Sequence, residues 1–203
     1  SGDFEILDSG SLIVTSANGC LLIGDVKDPS RPVAVAKLEP PLLLQSVLAF
    51  NQEILVVGSR AYVTLGAAGL VVVDVCVPDK LRLLQVIDTP GYARGLALYG
   101  DLLFVADALE GVFMVDIAAP GGAVPIGSFS VPQRVDQIEV AVDGLIVNRK
   151  KGEPMKMPLP QQLKAAELVS SNEVSFKAKD VAVGQHLYLY DDEVSQQVSV
   201  SAQ

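Results

Sequence analysis

Short apolar segments recur along the chain and are separated by Gly, Pro, Asp and Asn residues. They are about five residues long and rich in Val and Leu, which is typical of strands rather than helices. In the clearest region we predict four strands, at Ala93–Leu98, Leu102–Ala106, Val112–Ile117 and Val124–Phe129. The short polar linkers between them are typical of tight turns. The pattern therefore predicts a four-stranded antiparallel meander.

This four-strand unit is repeated along the sequence. The segment Gly58–Pro78 aligns without a gap with Gly100–Pro120, an offset of 42 residues. Each segment has a glycine before its third strand and an aspartate at the end of that strand. One such sheet buries too little apolar surface to be stable alone, whereas several packed around an axis are stable. The predicted fold is therefore all-β, a β-propeller of four-stranded antiparallel blades.

The repeat predicts one domain over residues 1–203, with about five blades. A seven-residue insertion is expected near Phe50–Gly58, and the loss of two residues after Asn148 would align Met155 with Val115. Only three strands are predicted in the last blade, so a fragment of a larger propeller is the alternative. An open end would expose an apolar blade face and favour association. The approximate blade boundaries are 2–39, 42–89, 91–131, 133–173 and 177–203.

The strand register makes two further predictions. It places Val72, Val115 and Ile138 in blade cores. It also makes Lys164–Val169 the outer strand of the fourth blade, although the helix-forming residues after Pro160 are also compatible with a short helix. We expect the strand.

Five segments carry motifs of a known repeat family. Gly69–Val75 reads GLVVVDV, Asp28–Pro32 reads DPSRP, and a third unit contains Pro90–Leu96, Leu103–Asp107 and Gly111–Ile117. Together they resemble the bacterial and archaeal LVIVD-repeat family. The resemblance implies a β-propeller, usually extracytoplasmic or associated with the cell surface, without a shared enzymatic activity or a common catalytic motif.

Composition and charge narrow the possible partners. Half of the 203 residues are hydrophobic and the formal net charge is −9, so nucleic acid is an unfavourable partner. No apolar run reaches the roughly 18–20 residues of a membrane-spanning helix. The chain starts at Ser1 without a methionine, so any signal peptide would already be missing. The one basic run, Arg149–Lys151 with Lys156 nearby, is expected to be a solvated loop, with an electrostatic contact site as the alternative.

Aspartate and glycine recur at fixed places in the repeat. A metal ring is conceivable, but an aspartate after a strand commonly accepts backbone N–H bonds and fixes a tight turn. The glycines before the third strands are expected to adopt positive φ. No metal or cofactor is expected. The residues concerned are Asp25, Asp74, Asp116, Gly19, Gly69 and Gly111.

Candidate catalytic residues are few. His186 is the only histidine, and neither Cys20 nor Cys76 is near it in the repeat register. Both cysteines lie in or beside apolar strands, where buried free thiols are common, although one disulfide is possible. We therefore predict no enzyme. The alternative is a hydrolase or lyase that uses acids at a propeller mouth, Asp136 or the run Asp191–Glu193.

The candidate binding surface follows from propeller geometry. The register equivalents at the start of the innermost strands are Gln45, Arg94, Asp136 and Lys179, which should ring one mouth of the channel. Arg94 and Lys179 would suit an anion or an acidic side chain, and the alternative is a set of inter-blade salt bridges. We predict a non-catalytic scaffold for protein or ligand binding, with a protein partner or self-association. A structural domain of a larger protein is a further alternative.

Overall fold

The computed structural model describes residues 3–7, 11–15, 20–39, 53–142, 144–157, 159, 174–177, 180–183, 186–189 and 197–200. They form nineteen strands, numbered in chain order. The first sheet contains β1 (Phe4–Ile6), β2 (Ser11–Thr15), β3 (Leu21–Asp25) and β4 (Val33–Leu38). The second contains β5 (Ile54–Val57), β6 (Arg60–Thr64), β7 (Leu70–Asp74) and β8 (Arg82–Ile87). The third contains β9 (Gly95–Tyr99), β10 (Leu102–Ala106), β11 (Val112–Asp116) and β12 (Val124–Phe129).

The remaining strands follow the third sheet. β13 (Val135–Ala141), β14 (Gly144–Arg149) and β15 (Met155–Met157) form a fourth sheet, and β16 (Val174–Lys177), β17 (Asp180–Val183), β18 (His186–Leu189) and β19 (Gln197–Val200) come last. Each of the first four sheets is an antiparallel meander in which consecutive strands are neighbours. The predicted all-β fold of four-stranded antiparallel blades is confirmed, and the sheets are the blades of a β-propeller.

Neighbouring blades pack face to face, because side chains alternate between the two faces of a strand. Three separate cores lie between the first and second, second and third, and third and fourth blades. The second and third blades are therefore apolar on both faces, which explains the nearly continuous apolar runs of their middle strands. The predicted core residues Val72, Val115 and Ile138 are confirmed, with exposures of 2%, 0% and 2%.

Truncation of Val115 tests this packing. Val115→Ala should lower the free energy of unfolding by about 1–3 kcal/mol, because it removes buried methyl groups and leaves a cavity. Arg94→Ala, at a partly exposed position, should cost less than about 1 kcal/mol. Denaturant titration of both variants checks the ranking, and the reverse ranking would show that the strand register is wrong.

The repeated aspartates fix turns, as predicted. In each of three blades the backbone N–H two residues after the aspartate donates to its Oδ1. The distances are 2.9 Å from Lys27 to Asp25, 3.0 Å from Cys76 to Asp74 and 2.9 Å from Ala118 to Asp116. These turns all join a third strand to a fourth strand. The aspartates are therefore a structural feature of the repeat.

Two of the three repeated glycines also behave as predicted. Gly69 and Gly111 have φ values of +76° and +95°. A Cβ atom on Gly111 would lie 2.2 Å from the carbonyl oxygen of Phe129, so the fourth strand of the blade passes directly over this position. Gly19 lies outside the described residues.

The extra residues between the first two blades precede the predicted place. Residues 54–57 form β5, and Ile54 pairs with Val63 as Leu96 pairs with Val105 in the next blade. The prediction of an insertion over Phe50–Gly58 is therefore wrong at its C-terminal half. β4 ends at Leu38 and β5 begins at Ile54, so the extra residues fall between these two strands.

The fourth blade keeps the offset of 42 residues. Leu145 pairs with Met157, as Leu103 pairs with Val115 in the third blade. The alignment of Met155 with Val115 is therefore wrong by two residues, and Lys156 does not occupy the position of the repeated aspartate. Lys164–Val169 lies outside the described residues.

The last part of the chain contains four described strands rather than three. β17 pairs with β18, where two strands were predicted, but β16 pairs with β19 as a separate two-stranded sheet. The Asp191–Glu193 run lies outside the described residues.

The outward faces of the first and fourth blades differ. On the first blade, Phe4 and Ile6 are 59% and 65% exposed, and Val35 is also exposed. On the fourth blade, Gln137 and Glu139 are exposed, and the Asn148 side-chain amide donates to Glu139 over 3.2 Å. One end of the described blade stack is therefore apolar and the other polar.

Candidate functional site

The innermost strands, the first of each blade, all begin at one face of the propeller, which we call the front face. The back face carries the turns that contain the repeated aspartates. At the front face, backbone bonds join consecutive blades. Gly66 and Ala93 exchange two N–H···O bonds of 3.0 Å, and at the next junction Val135 N–H donates to the Ala108 carbonyl over 2.9 Å. These bonds fix the backbone at the starts of β9 and β13.

A cluster of charged side chains lies on this fixed backbone at the junction of the third and fourth blades. Arg94 Nε lies 3.0 Å from Asp136 Oδ1, in ion-pair contact although not aligned as a hydrogen bond. Arg134 Nε donates to the same oxygen over 2.7 Å. The Arg94 guanidinium carbon also lies 5.7 Å from the centroid of the Tyr92 ring, a cation–π distance. Two guanidinium groups therefore share one carboxylate.

The structure brings together two of the four predicted mouth residues. Arg94 and Asp136 are in contact, which is the inter-blade salt bridge considered as the alternative interpretation. Gln45 and Lys179 lie outside the described residues. The register of β5 makes residue 52, rather than Gln45, the counterpart of Arg94, because the extra residues precede β5.

A group of acids lies along the neighbouring innermost strands. Leu96 N–H donates to Glu53 Oε2 over 2.9 Å, and Ile54 N–H donates to Asp3 Oδ2 over 3.1 Å. Each carboxylate thus accepts a backbone bond from the next blade. Burial raises the pKa of Glu53 to about 7, and the negative charges of Asp3, Glu139 and Glu5 add to this effect against the hydrogen bond from Leu96.

A second buried acid anchors the linker between the second and third blades. Asp107 is 1% exposed. It accepts hydrogen bonds from Thr89 Oγ1 over 2.9 Å and from Gly91 N–H over 2.8 Å. Burial raises the pKa of Asp107, whereas these two bonds oppose the shift. Both side-chain hydrogen bonds hold the linker in place, so we assign the Asp107 carboxylate a structural role.

The basic run of the sequence lies beside the arginine cluster. Lys150 N–H donates to the Arg134 carbonyl over 2.9 Å, and Arg149 pairs with Val135 in the sheet. Arg149 Nε donates to the Glu153 carbonyl over 3.1 Å, which holds its guanidinium against the loop. Lys150 and Lys151 are exposed. The run predicted as a solvated loop is thus continuous with the candidate mouth.

The cysteines, the histidine and possible metal ligands were the other candidates for chemistry. Cys20 and Cys76 form no disulfide. Cys20 is buried as expected, whereas Cys76 is exposed, which corrects the expectation for Cys76. His186 is the first residue of β18. Among the described residues, no group of His, Cys, Asp and Glu side chains is arranged to hold a metal ion. Within the same part of the chain, no helix is long and apolar enough to cross a membrane.

Sequence reasoning missed Arg134 and Glu53. Arg134 lies two residues before Asp136, a spacing at which alternate strand residues share a face, and this was the available signal. Glu53 was hidden because the extra residues were placed over it. Its position before an apolar strand gives no separate indication that its side chain reaches the next blade.

Comparisons with known proteins support the repeat and the fold. Residues 51–89 and 90–131 each match the LVIVD repeat. The crystal structure of the computationally designed Ika4 protein superimposes with a TM-score of 0.57 at 9% identity, over 76% of this chain and 89% of that chain. A chain in the crystal structure of the Mitotic Checkpoint Complex gives a TM-score of 0.49 at 15% identity, over 72% of this chain and 42% of that chain. No curated protein sequence matches significantly.

Proposed function

Because residues 51–131 consist of two LVIVD repeats, we propose that this β-propeller is a non-catalytic scaffold that binds a protein partner through its front face. The supporting observation is the cluster of Arg94, Arg134 and Asp136 at the junction of the third and fourth blades. The backbone beside this cluster is hydrogen-bonded from one blade to the next. A polar surface fixed by a rigid scaffold is suited to recognition, because little side-chain entropy is lost on binding.

The proposal that the protein is non-catalytic rests on which side chains could act as a catalytic base or acid. Any Ser–His or Cys–His mechanism would have to use His186, the single histidine. The acid alternative relied on Asp136, whose Oδ1 is shared by two guanidinium groups. A binding role needs neither residue to transfer a proton.

We further propose a location at the cell surface or in an extracytoplasmic space, on the family resemblance alone. Fractionation of the native host with an antibody against the protein tests this, and recovery in the cytoplasm would contradict it.

We also propose self-association as a second mode of binding. It would use the apolar outward face of the first blade, where Phe4 and Ile6 are exposed.

Site-specific photocrosslinking tests the front-face proposal. A benzoylphenylalanine at Leu109, which is 75% exposed in a front-face turn, should give an adduct of defined mass with a protein of the native host. The matched control is the same probe at Lys80, exposed in a back-face turn. Equal labelling from both positions, or none from Leu109, would contradict the proposal.

A further inference from the structure

The basic residues at the front face form one surface, although they come from three separate parts of the sequence. The surface contains the side chains of Arg94, Arg134, Arg149, Lys150 and Lys151, and we call it the front-face basic cluster. It holds five of the fifteen Lys and Arg residues of a chain with net charge −9.

The acids within this cluster leave it positive. Asp136 is shared between Arg94 and Arg134, and the other acid of the loop is the exposed Glu153. The cluster and its loop therefore contain five cationic side chains and two carboxylates. On the side of the second blade, the cluster is bordered by acids of the front face, the exposed Asp88 and Glu110. The cluster therefore lies on the side of this border that is formed by the start of β13 and the turn after β14.

The cluster is positioned by the fold. The equivalent turns are Leu65–Gly69 in the second blade and Asp107–Gly111 in the third, and neither contains a lysine or an arginine. The basic turn of the fourth blade is held by the Lys150 N–H bond to the Arg134 carbonyl and by the bond from Arg149 to the Glu153 carbonyl. The basic turn is therefore specific to the fourth blade and is not shared by the equivalent turns of the second and third blades.

We propose that the front-face basic cluster binds an acidic segment of a protein partner, a short run rich in Asp and Glu. Carboxylates suit arginines that present several N–H donors, and exposed lysines add attraction at the rim. A long nucleic acid would extend beyond the cluster onto the strongly acidic remainder of the surface, which would repel it. This inference rests on the proposed binding function and names the chemistry of the partner.

Fluorescence anisotropy with the full chain tests the inference. The probe is a fluorescein-labelled peptide of ten glutamates, and a peptide of ten glutamines is the neutral comparison. Lys150→Gln/Lys151→Gln should weaken binding of the acidic peptide by about fivefold to tenfold. The control Arg31→Gln/Lys80→Gln removes the same charge from exposed back-face turns, and it should change the affinity by less than about twofold. Raising the salt concentration should weaken the binding.

Four results would overturn the inference. They are no binding of the acidic peptide, binding equal to that of the glutamine peptide, an equal loss in the back-face control, and tighter binding of a ten-nucleotide single-stranded DNA at the same cluster. Thermal melting of both variants establishes that they are folded. If photocrosslinking from Leu109 succeeds while the acidic peptide fails, the front-face function stands and only the acidic partner is excluded.

Discussion

Glu53→Gln should make the protein more stable than the wild type at pH 8, by about 1–2 kcal/mol after allowance for solvent screening. In the folded protein, burial holds the pKa of Glu53 at about 7, above the ordinary value of 4.5. The folded state therefore binds this proton more tightly than the unfolded state does. The resulting stabilisation is complete below about pH 4.5 and is lost as the pH rises through 7.

The glutamine variant isolates this effect. Its side-chain oxygen can still accept the Leu96 N–H bond, but it carries no charge to desolvate. Denaturant unfolding between pH 4.5 and 8 should show wild-type stability falling relative to Glu53→Gln. Asp79→Asn, at an exposed back-face turn, should follow the wild-type curve. Parallel curves for the wild type and Glu53→Gln would show that Glu53 titrates normally.

Gly111→Ala should lower the free energy of unfolding by about 3–5 kcal/mol. Its φ of +95° disfavours any L side chain, and the new Cβ would also lie 2.2 Å from the Phe129 carbonyl oxygen and 2.8 Å from Val131 N. Both clashing atoms belong to the backbone at the end of β12 and just after it. The clash can therefore be removed only if this part of the fourth strand moves.

Gly100→Ala is the matched control for this substitution. Gly100 also has positive φ, +58°, but no atom lies within 4 Å of the added Cβ. Only the conformational cost remains, about 1–2 kcal/mol. The denaturation midpoints of the two variants give the comparison, and equal losses would mean that β12 does not pass over Gly111 as described.

The fold was predictable where one blade repeats another without a gap. Between Gly58 and Pro120 the strands fall close to their predicted positions, because strand period and turn residues agree at each step. The role of Asp74 and Asp116 was also predictable, since an aspartate that bonds a backbone N–H two residues later acts locally. Such features depend on neighbouring residues and can be read from the sequence.

The candidate site was predictable only in part, because it depends on contacts between blades. The register placed Arg94 and Asp136 at one mouth, but it gave no information about how far the Arg134 side chain reaches. Glu53 was missed because one misplaced insertion moved it away from the start of the innermost strand β5. The bond between Lys150 and Arg134 continues the pairing of Val135 with Arg149. The register of the sheet shifts between Val135 and Gln137, and residue spacing alone does not give such a shift.

The three cores between blades share no residue, and this has a consequence for cooperativity. Stability in such an arrangement is close to a sum of nearest-neighbour terms along a one-dimensional array. Within the described stack of four blades, the second and third blades each pack against two inter-blade cores. The first and fourth blades each pack against only one. Opening fluctuations should therefore begin at the fourth blade more readily than at the third. A ligand bound across their junction would strengthen that one term and suppress the opening.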